Sequence, residues 1–140
     1  MHSFAFGTEE MRMLWASVVL GLVQVSLAVI FAAGSGRAAW ALGSRDLEGP
    51  PLGPVAARLE RAWQNYLQTF PLFAAVVLLA NALNRHDHMM TLGADLYFYA
   101  RVAYVPVYAF GIPGLRTLVW SVSVVGIVLI LVGIWPGNAL

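Results

Sequence analysis

The stretch "ERAWQNYLQTFPLF" (Glu60–Phe73) opens a segment that is otherwise apolar to Ala80. Arg61, Asn65 and Gln68 interrupt it at spacings of four and three. A helix turns about 100° per residue, so the three fall within an arc of roughly 60°. An arginine and two amides on one stripe of an apolar helix need a physical reason. The composition sharpens the demand. Of 140 residues, 60% are hydrophobic and 11% charged, against about 25% charged in an average soluble domain. Mean hydropathy is +0.75. A soluble chain of this size cannot hide so much apolar surface, so the class is integral membrane.

Net charge is +1, which gives no footprint for a nucleic-acid partner. All eight basic residues are arginine. Arginine stays ionised when buried and suits bidentate binding of carboxylates and phosphates. There is no cysteine. That excludes thiolate catalysis, disulfide exchange and Cys-ligated metals through the protein's own thiols.

A bilayer core of about 30 Å needs roughly 20 apolar residues in a helix. Four segments qualify, at about 11–33, 62–83, 92–112 and 115–135. The first is read as a span and not a cleaved leader. The charges before it are acidic as well as basic, and no A-x-A site follows. The longest connection, 34–59, is rich in Gly and Pro and reads as a loop. The other two, "NRHDHMMT" and "GIPG", are short. Short loops imply antiparallel neighbours. The expectation is therefore all-α: one membrane domain, a four-helix bundle running up-down-up-down.

Arginine asymmetry orients it. The first and third connections and their flanks hold Arg37, Arg45, Arg58, Arg61 and Arg116; the other side holds Arg12 and Arg85. This puts the long loop in the cytoplasm and both termini outside it.

Arg101 lies near the middle of the third span, where a charge costs at least about 2.5–3.5 kcal/mol on insertion scales. It must face the bundle or a neighbouring subunit. Tyr97, Arg101, Tyr104 and Tyr108 share one face, again within roughly 60°. Arg61, Asn65 and Gln68 descend about 10 Å from the cytoplasmic end of the second span. Arg116 sits in the first turn of the fourth, at the same level, where the helix dipole already favours negative charge. A thiol beside it would lose its proton more easily, and that thiol must come from a ligand. Taken singly, each residue has a plainer reading: interhelical hydrogen bonding, snorkelling or an interfacial aromatic belt. Together they point to one cytoplasm-facing pocket for an anionic ligand.

Smaller features have structural readings. Gln24 and Ser26 are expected to hydrogen-bond between helices. Pro71 and Pro106 are expected to kink the second and third spans and widen the cytoplasmic half. Gly34-Ser35-Gly36 is expected to end the first span. "HDH" at His86–His88 has metal-ligand types but lacks further ligands, so no metal is expected. Thr117 either joins the pocket or bonds back to its own helix.

"RAWQNYLQTFPLF" resembles the second-helix motif of the MAPEG proteins (membrane-associated proteins in eicosanoid and glutathione metabolism), R-x-x-x-N-x-x-E followed by an aromatic and Pro. "ARVAYVPVYAFGIPGLR" resembles that family's third-helix A-R-x-x-Y-x-x-x-Y pattern with a following arginine, and Gly49–Pro51 has a parallel in the long loop. The likeness runs from about Arg37 onward and is greatest to prokaryotic members of the uncharacterised type. It implies a four-helix homotrimer, here in a prokaryotic inner membrane. It implies glutathione as co-substrate, held between subunits on the cytoplasmic side, and a lipophilic electrophile as the second substrate. Carried over, Arg61, Asn65, Arg101, Tyr104 and Tyr108 would bind glutathione, with Arg37 a weaker match. Arg116 would stabilise the thiolate. Gln68 stands where the family has glutamate, so a charge-assisted bond to the ligand's ammonium becomes a neutral one, roughly half as strong.

The expected function is a glutathione-dependent transferase or peroxidase. The alternative is a non-catalytic membrane protein of the same build that binds a lipid or another anionic metabolite. A proton-coupled exporter ranks below both, because the first span has no carboxylate in its core and Asp95 lies near the outer end of the third.

Overall fold

The computed structural model describes residues 7–139. Among them the long elements are all helical: α1 (Glu9–Ala32), α3 (Pro54–Ala82), α4 (His88–Ala109) and α5 (Leu115–Ile134), with a short α2 (Ala38–Leu42) after α1. Three stretches are long and apolar enough to cross a membrane: Glu9–Leu42, Pro54–Ala82 and Leu115–Ile134. α4 matches them in length but carries Asp95, Arg101 and four tyrosines, Tyr97, Tyr99, Tyr104 and Tyr108. Large side chains such as Leu22, Val29, Ile30 and Leu118 are exposed on the outside of the bundle, a surface suited to lipid. The protein is an integral membrane helix bundle.

Contacts at the two ends fix the topology. At one end Thr91 Oγ1, at the start of α4, donates to Glu10 Oε1 in the first turn of α1 at 2.9 Å. Arg85, just beyond α3, donates through Nη1 to the carbonyls of Ile134 (3.1 Å) and Trp135 (3.0 Å), capping the carbonyl end of α5. At the other end Arg58 Nη1, in the first turns of α3, donates to the Ala109 carbonyl that closes α4, at 3.3 Å. The four long helices therefore alternate in direction.

Helix starts follow local chemistry. Thr8 caps α1 by accepting from Met11 N at 3.3 Å, and Asp87 caps α4 by accepting from Met90 N at 2.8 Å. The middle residue of the His-Asp-His run is thus a helix cap. Pro54 opens α3, where its missing N–H removes nothing.

Two details differ from the sequence expectations. The regular α1 ends at Ala32, but Gly34 to Gly36 do not release the chain into a loop. Ala33–Arg37 forms a wider π-type turn, and Gly36 at φ 83 redirects the backbone into α2. Ser35 fastens this corner, donating to Phe31 O and accepting from Gly53 N, both at 3.1 Å. Ser26 does not bridge helices; its hydroxyl returns to the Leu22 carbonyl at 2.7 Å, satisfying itself within one turn. Gln24 is buried, with no partner for its Nε2 among the described residues.

In lipid, helix association rests on close packing and not on water release. The tightest seam is α4 against α5. A Cβ built on Gly126 would lie 2.5 Å from the Gly93 carbonyl oxygen and 2.8 Å from Tyr97 N. A Cβ on Gly93 would lie 2.6 Å from the Gly126 carbonyl oxygen. Those neighbours are backbone and cannot swing aside. The apolar core, including Phe73, Val77, Met90, Tyr97 and Ile130, fills the end of the bundle near Arg85. The polar stripes occupy the opposite half.

Gly126→Val should therefore separate α4 from α5 and destabilise by about 1–3 kcal/mol or more, the range for overpacked sites. Thermal denaturation in detergent checks this; a melting temperature equal to wild type would contradict the backbone contact.

Candidate functional site

Arg101 organises the polar half. It is 1% exposed, the largest of the fully buried side chains. Its guanidinium lies over two rings, 4.7 Å from the centroid of Tyr104 and 5.3 Å from that of Tyr66. Such contacts contribute about 0.5–2 kcal/mol each, more when dry. Nη1 donates to Asn65 Oδ1 at 3.0 Å. Neither Nε nor Nη2 has an acceptor at hydrogen-bonding geometry among the described residues; the Tyr97 hydroxyl is a neighbour, paired with Thr69 Oγ1 at 3.2 Å.

Because arginine only donates, the Asn65 amide has one sensible orientation: Oδ1 toward Arg101, leaving both Nδ2 protons for something else. Tyr66 anchors this side of α3 to α1, its hydroxyl donating to the Ser17 carbonyl. Gly21 permits the approach, since a Cβ there would sit 3.2 Å from Tyr66 Cε1.

In front of this buried layer lies a cavity of about 250 Å³, lined by Asn65 from α3, Tyr104 and Tyr108 from α4, and Arg116, Thr117 and Trp120 from α5. The rings of Tyr104 and Tyr108 meet at 5.4 Å, tilted by 48°. The Arg116 guanidinium lies 5.4 Å from the Tyr108 ring centroid. Arg61 Nε donates to the Tyr108 hydroxyl at 3.3 Å, linking the stripe of α3 to that of α4. The cavity thus combines an exposed cation, a fixed amide donor pair, two phenols and an indole, and its lining holds no carboxylate.

The sequence-expected residues divide into groups. Asn65, Tyr104, Tyr108 and Arg116 line one cavity, with Arg61 tied to its edge. Arg101 stands behind the lining, where it can set Asn65 and Tyr104 but is itself covered. Tyr97 belongs to the core, stacked on Phe73 at 4.0 Å. Gln68 is exposed on α3, outside the lining. Arg37 lines a different cavity and donates to the Pro50 carbonyl at 2.5 Å.

Two residues escaped the sequence reading. Trp120 lines the cavity one turn beyond Arg116, a spacing of four that was there to be read. Arg58 braces the end of α4 and leans on Gly111, where a Cβ would be 2.9 Å from its Cζ. Nothing in the sequence distinguishes that arginine from a loop charge.

The MAPEG family model matches residues 13–135. The chain belongs to the MAPEG family. No individual curated protein matches it.

Arg101→Met should leave the bundle folded. The change removes the cost of a buried charge that has no carboxylate partner among the described residues. Asn65 Oδ1 loses its donor at about 1–3 kcal/mol, so the net shift in melting should be small. The same change frees Asn65 and Tyr104, so anion binding at the cavity should fall by roughly tenfold, the value of one charge-assisted bond. Thermal melting beside calorimetric titration separates the two effects; unchanged binding would show that Arg101 positions nothing.

Proposed function

Starting from that family membership, we propose that the chain is a glutathione-dependent transferase or peroxidase acting on lipophilic electrophiles within the bilayer. The observation that carries this reading is the convergence of Asn65, Tyr104, Tyr108 and Arg116 from three helices on one cavity. Arg116 is the cation for the ligand's sulfur. Placed in the first turn of α5, it adds its charge to the helix dipole and lowers the thiol's proton affinity. The proton leaves to solvent. The thiolate then attacks the electrophilic carbon, a C–S bond forms, and the leaving group departs with the bonding pair. Asn65 Nδ2 and Arg61 serve the ligand's carboxylates, and the Tyr108 hydroxyl is steadied by Arg61.

The lining of one chain is incomplete for such a ligand. At about 250 Å³ it falls below the common range of about 300–1,000 Å³ for small-molecule pockets. Arg61 and Gln68 lie exposed at its edge and beyond it. A second chain set against this stripe would complete the site, in keeping with a homotrimer. Arg37 lines a different cavity and has no part in this assignment. Arginine asymmetry supports the site on the cytoplasmic side with both termini outside; the prokaryotic inner membrane rests on the family resemblance. The second reading, non-catalytic binding of a lipid or another anionic metabolite, has one observation in its favour. No carboxylate lines the cavity to receive an ammonium, and Gln68 stands where one would be charged.

Reconstituted protein should conjugate glutathione to an aryl halide. Arg116→Ala should lower kcat by about 100-fold, the effect of removing one group that stabilises developing or resident negative charge. Equal background rates for wild type and variant, with no calorimetric binding of glutathione, would sink the enzyme reading. Gln68→Glu should tighten glutathione binding by roughly tenfold by supplying a charged acceptor. An unaltered affinity would place position 68 out of reach of the ligand's ammonium.

A further inference from the structure

A second cavity, about 580 Å³, lies where α1 bends into α2. One part of its lining is apolar, including Val29 and Ala32; another is Arg37, Trp40 and Arg45. The two guanidiniums lie over the same indole, 5.3 Å (Arg37) and 5.6 Å (Arg45) from its centroid. Each spends its Nε on a backbone carbonyl, Arg37 on Pro50 at 2.5 Å and Arg45 on Ala41 at 3.1 Å. Carbonyl bonds orient a guanidinium without neutralising it. Neither arginine pairs with a carboxylate among the described residues. Glu60 also lines the cavity, its Oε1 accepting from Gln64 Nε2 at 3.0 Å, so the lining carries two cations against one anion. Trp40 is itself pinned, its indole N–H donating to the Leu47 carbonyl at 2.6 Å. Arg45 reaches the ring from a left-handed backbone, φ 60, which is costly for a residue with a side chain.

Beside this cluster Leu42 is 90% exposed and Leu47 81% exposed. Leu42 closes the apolar stretch Glu9–Leu42, and Leu47 follows it by five residues. A soluble anion would engage the arginines but leave the apolar wall and the leucines without a function. A neutral lipid would cover the wall and leave two free cations. We propose that this cavity binds one anionic phospholipid. Its phosphate lies between Arg37 and Arg45, which offer fork-shaped Nη donors, and an acyl chain runs along Val29 and Ala32. The site is separate from the cavity at Arg116 and stands whether or not that one holds glutathione.

The test uses full-length protein in phosphatidylcholine nanodiscs containing a minor fraction of phosphatidylglycerol, with bound lipid identified by native mass spectrometry. Wild type should retain phosphatidylglycerol in preference to phosphatidylcholine. Arg45→Gln should reduce that preference roughly fivefold and the Arg37→Gln/Arg45→Gln pair roughly 25-fold, from the usual value of a basic residue at an anionic surface. Equal retention of the two lipids by wild type, or no loss in the variants, overturns the proposal. Displacement of the lipid by inorganic phosphate also overturns it, because the site would then be one for a soluble anion. If the double variant fails to fold, Arg45→Gln decides alone: a fivefold loss supports the lipid site and no loss rejects it.

Discussion

The structure turns on a charge held where a membrane protein can least tolerate one. Arg101 is buried inside the bundle between the rings of Tyr66 and Tyr104, bound to Asn65. Each partner belongs to a different constraint. Tyr66 ties α3 to α1 through the Ser17 carbonyl. Tyr104 and Asn65 form one wall of the cavity that Arg116 faces. The residue that is hardest to bury is therefore the one that sets the geometry of the cavity wall, by contact and without exposure.

Around that point the bundle separates into two halves with different physics. Near Arg85 the helices meet through aliphatic and aromatic packing and the Gly93–Gly126 approach. Near Arg116 they meet through polar bonds: Arg58 to Ala109, Arg61 to Tyr108, Arg101 to Asn65. The packed half fixes the relative register of α4 and α5. The polar half uses that register to bring Tyr108 under Arg116. A cavity results because arginines and tyrosines joined by long side-chain contacts leave space that methyl groups would fill.

Much of this was legible in the sequence. Periodicity placed Arg61, Asn65 and Gln68 on one stripe and Tyr97 to Tyr108 on another, and a polar stripe in an apolar helix has to face something polar. What periodicity lacks is depth within a face. Tyr97 and Tyr104 look equivalent by angle, yet Tyr97 lies about two turns closer to the packed end and stacks on Phe73. Gln68 shares the arc of Asn65 but lies one turn farther along α3, past the cavity. The corner at Gly36 was also invisible. Glycine signals a break in the helix, but whether the chain then unwinds or turns into another helix depends on Ser35 finding Gly53, eighteen residues on. Arg37 entered as a site residue through the family resemblance alone, and only the fold shows that its neighbours are Trp40 and Arg45.

The central claim is that Arg116 and its surroundings stabilise a ligand thiolate. Ultraviolet difference spectroscopy on mixing glutathione with the reconstituted protein near neutral pH measures that directly. Thiolate absorbance should rise in proportion to occupied sites, with release of up to one proton for each, and both signals should be absent when the S-methyl analogue replaces glutathione. Saturable glutathione binding with no thiolate absorbance and no proton release would contradict it.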